Sequence, residues 1–175
     1  MSDSNVKIPR SKFESLVEMG LVFEAAILHG RAYFISGTVV DGRRIGRTLG
    51  YPTANVLPAQ PNVVIPAQGV YAAYARLKGA WHESMVNIGI RPTLNLDHET
   101  IEAHLFGFDK QIYNQFISLH FIQRLRDEMR FASLAELKHQ LDLDGLKAAK
   151  IFKELAINPL PSNDFIFIDH EGFSN

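Results

Sequence analysis

Gly37-Thr-Val-Val-Asp41-Gly42-Arg43-Arg44-Ile-Gly46-Arg47-Thr-Leu-Gly50-Tyr51-Pro52-Thr53-Ala-Asn55 decides how the rest of the chain is read. It leaves a β-rich run, Tyr33–Val40, and passes through three glycines at a spacing of four, Gly42, Gly46 and Gly50. Glycines let backbone N–H groups come close to phosphate oxygens, and Arg43, Arg44 and Arg47 add positive charge. A polyphosphate cradle and a plain basic hairpin loop both fit that composition. A Walker A loop does not: three residues rather than four separate Gly42 from Gly46, and Arg47-Thr48 follows where that motif has Lys-Ser/Thr. The stretch ends on a polar station, Pro52-Thr53-Ala54-Asn55. Thr53 and Asn55 fall on one side of an extended chain. A hydroxyl and an amide oxygen are hard ligands suited to Mg²⁺ beside phosphates, although Asn and Pro also serve turns.

Downstream, short β-rich runs alternate with Gly, Pro and Asn: Val70–Leu77, His82–Ile88, Thr100–Phe108 and Phe116–Ile122. In the last, Ile117, Leu119 and Phe121 alternate with Ser118 and His120, the pattern of a half-buried strand. With Tyr33–Val40 this makes about five or six short strands, which argues for a small barrel or sandwich. No helical segment separates them, which argues against a parallel dinucleotide-binding sheet. On the Thr100 run, Glu102 and His104 share a face opposite Ile101, Ala103 and Leu105. A carboxylate inside a barrel mouth is placed to act as a general base; the same pair also fits the solvated face of a strand.

The flanks read as helices. Ser11 and Glu14 have capping-box spacing before a helix that Gly20 ends, and Val22–Leu28 makes a second one closed by Gly30. After Phe131, Ser133 and Glu136 repeat the capping spacing; Leu134, Leu137, Leu141, Leu146, Ala149, Phe152 and Leu155 follow at helical intervals, with Gly145 as an expected interruption. Asn158-Pro159 and Pro161 stop the helix, and a tail with an apolar patch, Phe165–Ile168, follows. The chain thus divides into a lead and linker helices (1–32), a barrel with its helix (33–157) and a tail (158–175).

Composition narrows the function classes. The chain has 175 residues, a net charge of −1 and no cysteine. Thiol chemistry, disulfides and Cys-based metal sites are therefore excluded, and nothing points to nucleic acid, a membrane or an obligate protein partner. The polar N-terminus is not a signal peptide, which with the lack of cysteine fits the cytoplasm. The seven histidines form no His-Glu-x-x-His pair, and no Gly-x-Ser-x-Gly elbow occurs.

Taken in order, these pieces resemble the signature of the riboflavin kinase family. Gly37-x-Val-x-x-Gly42 and Gly46-Arg47-x-Leu-Gly50-x-Pro52-Thr53-Ala-Asn55 are followed by Gly69-Val-Tyr-Ala, Asn87-Ile-Gly-x-Arg-Pro-Thr93, Glu102-x-His104-Leu, Phe108-Asp109, Ile112-Tyr113 and Leu125-Arg126-x-Glu128-x-Arg-Phe131. The resemblance covers about residues 31–150. The earlier Leu16-x-x-x-Gly20-x-Val-x-x-Ala25 and Gly30-Arg-x-Tyr33 look like the linker of bifunctional riboflavin kinase/FAD synthetases, with the nucleotidyltransferase domain expected to be missing. Family members usually carry Pro, an acidic residue and Gly where this chain has Ala32, Gly107 and Asn114.

The resemblance implies a six-stranded antiparallel Greek-key barrel and transfer of the γ-phosphate of ATP to the 5′-hydroxyl of riboflavin. It places ATP against Gly42, Gly46, Arg47, Gly50, Pro52, Thr53 and Asn55, Mg²⁺ on Thr53 and Asn55, the base at Glu102, and the flavin near Arg126, Glu128 and Phe131. Riboflavin and ATP are then the small-molecule partners. The alternative is a non-catalytic flavin- or nucleotide-binding module on the same barrel, which would not require a base.

Overall fold

Alternation of buried and half-exposed residues along Phe116–Arg126 marks a strand that faces a core on one side only, and the sheet that contains it closes on itself. The structure, a computed structural model, describes residues 11–42, 45–92 and 97–157. The expected lead (1–10), Arg43, Arg44, the turn at Thr93 and the tail with Phe165–Ile168 lie outside the described residues.

Six strands form the barrel: β1 (Tyr33–Val40), β2 (Ala54–Pro58), β3 (Gly69–Leu77), β4 (Ala80–Pro92), β5 (Asp97–Leu105) and β6 (Phe116–Arg126). They close in the order β1-β2-β5-β4-β3-β6, and every pairing is antiparallel. Closure gives every strand a partner on each side, the β2–β5 seam being the shortest. The expected Greek-key barrel is therefore present. Of the polar station Pro52–Asn55, Ala54 and Asn55 open a strand, β2, while Pro52 and Thr53 lead into it. At its pairing with β1, a Cβ on Gly37 would fall on the Leu57 carbonyl, so the signature's first glycine lets these backbones meet.

Two apolar layers result. Inward residues Ile35, Val39, Ala54, Val56, Ala73, Val86, Ile88, Ile101, Ala103, Ile117 and Leu119 fill the barrel. Outside the wall, Val70, Ala72, Met85 and Ile122 pack with Ala148 and Phe152 of a long helix, α4 (Leu134–Ile157). Gly145 does not interrupt α4. Its loss of helix propensity is only about 1 kcal/mol, less than the packing of the flanking Asp144 and Ala148, both fully buried, contributes. The N-terminal helices α1 (Lys12–Glu18) and α2 (Val22–His29) form as expected; Ser11 and Glu14 make the reciprocal capping box, and Gly30 ends α2 in the left-handed conformation. The Gly42–Gly50 loop contains an unexpected helical turn, α3 (Ile45–Thr48). Asn114, where the family has Gly, adopts φ +61°; Asn is the residue that tolerates that conformation best after Gly.

Candidate functional site

Residues directly opposite across strands share a face of the sheet. The register therefore builds one row on the outer wall: Asn55 opposes Glu102, Glu102 opposes Asn87, Asn87 opposes Val70, and Val70 opposes Arg126. Glu102 consequently stands outside the barrel rather than in its mouth, because its neighbours Ile101, Ala103 and Leu105 take the interior. The next row, His104 opposite Met85, runs beside it.

A cleft of about 270 Å³ opens over these rows, between the wall and α4. Its polar floor holds Thr53, Asn87, Glu102, His104 and Glu128; Met85, Met129, Phe131, Leu137 and Leu141 supply apolar surface. A smaller recess of about 70 Å³ lies at the barrel mouth, among Val39, Arg47, Pro52 and the segment Phe108–Tyr113. Thr53 lines both cavities, and its hydroxyl donates to the Glu102 carboxylate at 3.1 Å. The two spaces thus meet at one hydroxyl–carboxylate pair.

The remaining expected site residues divide. Gly46 lines the cleft and Arg47 and Pro52 the recess. Asn55 is buried and lines neither; a Cβ on Gly42 would overlap its amide, so Gly42 lies directly over it. Gly50, at φ +81°, turns the chain after α3 and reaches neither cavity. Arg126 lines the cleft but is committed to structure: its Nε donates to both oxygens of Asp144 at 2.9 and 3.1 Å, and Gln140 donates to the same carboxylate. Its guanidinium also lies over the Phe131 ring.

Sequence reasoning quoted Asn87 and pieces of Phe108–Tyr113 in the signature but gave neither them nor Tyr51 a place at the site. Tyr51 donates its hydroxyl to Asp142 of α4 at 2.7 Å, tying the glycine loop to the helix. Nothing local in the sequence marks that contact, which spans 91 positions. Asn87 hydrogen-bonds Glu128. Burial raises the Glu128 carboxyl above its ordinary value; Arg126 and the Asn87 bond oppose this, and the charge of Glu102 adds to it. Burial lowers the His104 imidazole, against a smaller upward effect of its hydrogen bond to Pro52.

Among the described residues no three His, Asp or Glu side chains converge as a metal cluster. The Thr53 hydroxyl and the Glu102 carboxylate, with the buried Asn55 opposite Glu102 across β2 and β5, are nevertheless hard donors of the kind a cation beside phosphate takes. No helix of the described residues is long and apolar enough to cross a membrane.

Comparison with known proteins identifies the family. The profile of the family described as "Flavokinase: Riboflavin kinase" matches residues 29–152. A bifunctional riboflavin kinase/FMN adenylyltransferase of Bacillus subtilis is 34% identical over 158 residues, 89% of this chain and 50% of the relative. One of the same description from Haemophilus influenzae is 42% identical over 127 residues, 71% of this chain and 40% of the relative. A crystal structure described as that of a macrolide-efflux protein from Streptococcus pneumoniae superposes with a TM-score of 0.75 at 30% identity, over 84% of this chain and 48% of that one. The chain spans about half the length of the curated relatives it matches. A family match over most of the chain, on a closed barrel whose glycine loop and strand carboxylate meet at Thr53, makes this chain a member of the riboflavin kinase family.

Proposed function

We propose that this chain transfers the γ-phosphoryl group of ATP to the 5′-hydroxyl of riboflavin, giving FMN and ADP. The observation that carries the reading is the Thr53–Glu102 pair at the junction of the two cavities. The barrel-mouth recess, with Arg47 and Lys110, takes the nucleotide; the half-apolar cleft under α4 takes the flavin. Their junction is where the 5′-oxygen and the γ-phosphorus meet. The new 5′-O–P bond forms as the bond from phosphorus to the bridging oxygen of ADP breaks, and Glu102 accepts the hydroxyl proton.

Phosphoryl transfer demands mainly in-line positioning and charge neutralisation. Thr53 and Asn55 are the residues to hold Mg²⁺, which when bound neutralises phosphate charge. The Gly42–Gly50 loop and α4 flank the junction and keep out water, a competing acceptor. Chromatography of a reaction containing riboflavin, ATP and Mg²⁺ tests the reading. FMN should accumulate with one ADP per flavin and cease when the metal is chelated. Binding of both ligands without FMN formation would leave a binding module instead.

A further inference from the structure

We infer that His104 is a positioning residue: its Nδ1–H, donated to the Pro52 carbonyl, holds Thr53 in register with Glu102. The inference rests on the functional reading above and adds to it a residue that touches neither phosphate nor metal.

The geometry is a two-point grip. His104 and Glu102 are two positions apart on β5 and share its outer face. His104 Nδ1 lies 2.8 Å from the Pro52 oxygen, and Thr53 Oγ1 lies 3.1 Å from Glu102 Oε2. A carbonyl only accepts, so the ring carries its proton on Nδ1 in this bond. The Pro52 carbonyl belongs to the peptide plane that ends at the Thr53 nitrogen, and that plane is rigid. Fixing its oxygen therefore fixes the direction in which Thr53 leaves the chain. One strand thus holds the Pro52–Thr53 unit twice, by its backbone through His104 and by its side chain through Glu102.

This grip acts where the other ties stop: Tyr51 is held by its N–H on the Gly46 carbonyl and its hydroxyl on Asp142, one residue before Pro52. Thr53 precedes β2, whose pairing with β5 starts only at Ala54. Pro52 and Thr53 follow the glycine turn and lie outside any strand. His104 is itself held between the rings of Tyr51 and Phe106, at 5.0 and 5.4 Å. A half-buried ring with a fixed tautomer is a stiff support, and groups that orient a ligand in this way typically contribute about 10–100-fold in metal affinity or activity.

The alternative is that His104 only fills space, and three substitutions separate the two. His104→Asn puts an amide nitrogen where Nδ1 was and loses the ring. His104→Phe keeps the ring and loses the donor. His104→Gln carries its amide one carbon farther, past the Pro52 oxygen. If His104 positions Thr53, the Phe and Gln variants should lose about 10–100-fold in rate and need more Mg²⁺ for half-maximal activity. The Asn variant should recover most of both. If the ring merely packs, the order reverses: Phe behaves as wild type and Asn is worst. That reversal, or equal collapse of Asn and Phe with folding intact by circular dichroism, overturns the inference. Calorimetry of Mg·ADP binding to the same variants gives the second readout. A wild-type protein that binds Mg·ADP yet makes no FMN would sink the activity reading alone, while the Asn-against-Phe order in binding would still decide the role of His104.

Discussion

At the scale of single residues, the proposed transfer rests on two side chains and each has its own signature. Glu102→Gln keeps size and hydrogen bonding but takes no proton at neutral pH. A positioned base contributes about 10²–10⁴-fold, and the loose transition state of phosphoryl transfer favours the lower end. We therefore expect kcat to fall about 100-fold with riboflavin and ATP affinities little changed. Retention of more than about a tenth of wild-type kcat would remove Glu102 as the base. Thr53→Val preserves shape and deletes the hydroxyl that meets Glu102. Its rate should fall and its Mg²⁺ requirement rise; a metal titration that overlays the wild type would mean that Thr53 only shapes the turn. Both residues were legible in the sequence as candidates, through an ordered motif set rather than through any one signal. Their juxtaposition was not. The barrel mouth was the expected place for Glu102, because alternation tells which residues share a face but not which face a closed sheet turns inward. The apolar trio Ile101, Ala103 and Leu105 claims the inside, and Glu102 is left to the outer cleft.

At the scale of elements, α4 is both roof and clamp. It supplies Leu137 and Leu141 to the cleft, and two polar links bind it to the rest: Tyr51 to Asp142, and Arg126 to Asp144. The second is nearly dry, with side chains 12% and 0% exposed. Removing one partner of such a pair costs about 3–5 kcal/mol, because the other is left charged and buried. Asp144→Ala should therefore lower stability by that amount in urea denaturation and weaken riboflavin binding by loosening the roof. The double variant Arg126→Met/Asp144→Leu should regain most of the stability, since apolar replacement of a buried pair is often neutral. If the single variant is as stable as wild type, α4 is held by its apolar face alone. Most elements could be read from period and caps: β1 ends where expected, and Ser11, Gly20 and Gly30 delimit α1 and α2. The start of β2, Ala54-Asn55, was legible only as part of a turn or polar station, because its strand character comes from partners 15 or more residues away on β1 and β5. The turn α3 is too short for periodicity to register.

At the scale of the whole molecule, closure of the barrel buries ionisable groups, and their burial sets the pH range over which the fold is stable. β6 lies between β1 and β3 and is paired along both edges. His120 on that strand stacks with Phe34, meets Trp81 edge-on and has Ser118 Oγ 3.1 Å from its Nε2. Burial, helped by Arg76, lowers its pKa to about 4. The unfolded chain takes up that proton near pH 6.5 and the folded one does not until about pH 4. Stability present above pH 6.5 is thus lost as pH falls through that window. Tyr71, fully buried with its hydroxyl on the Ala67 carbonyl, is pushed the other way. Burial raises it to about 12 against the opposing effect of Arg124, and Tyr51 is raised to about 12 by burial and its bond to Asp142. The unfolded phenols ionise near pH 10, so stability should fall again from pH 10 towards 12, by about 3 kcal/mol at most for Tyr71. Urea midpoints measured across pH should therefore trace a plateau between about 6.5 and 10. Tyr71→Phe should flatten the alkaline fall in part, leaving the share of Tyr51, while His120→Gln should flatten only the acid side. An alkaline slope identical in wild type and Tyr71→Phe would mean that the barrel opens before Tyr71 titrates, and the fold would then fail locally on that side rather than by ionisation of its core.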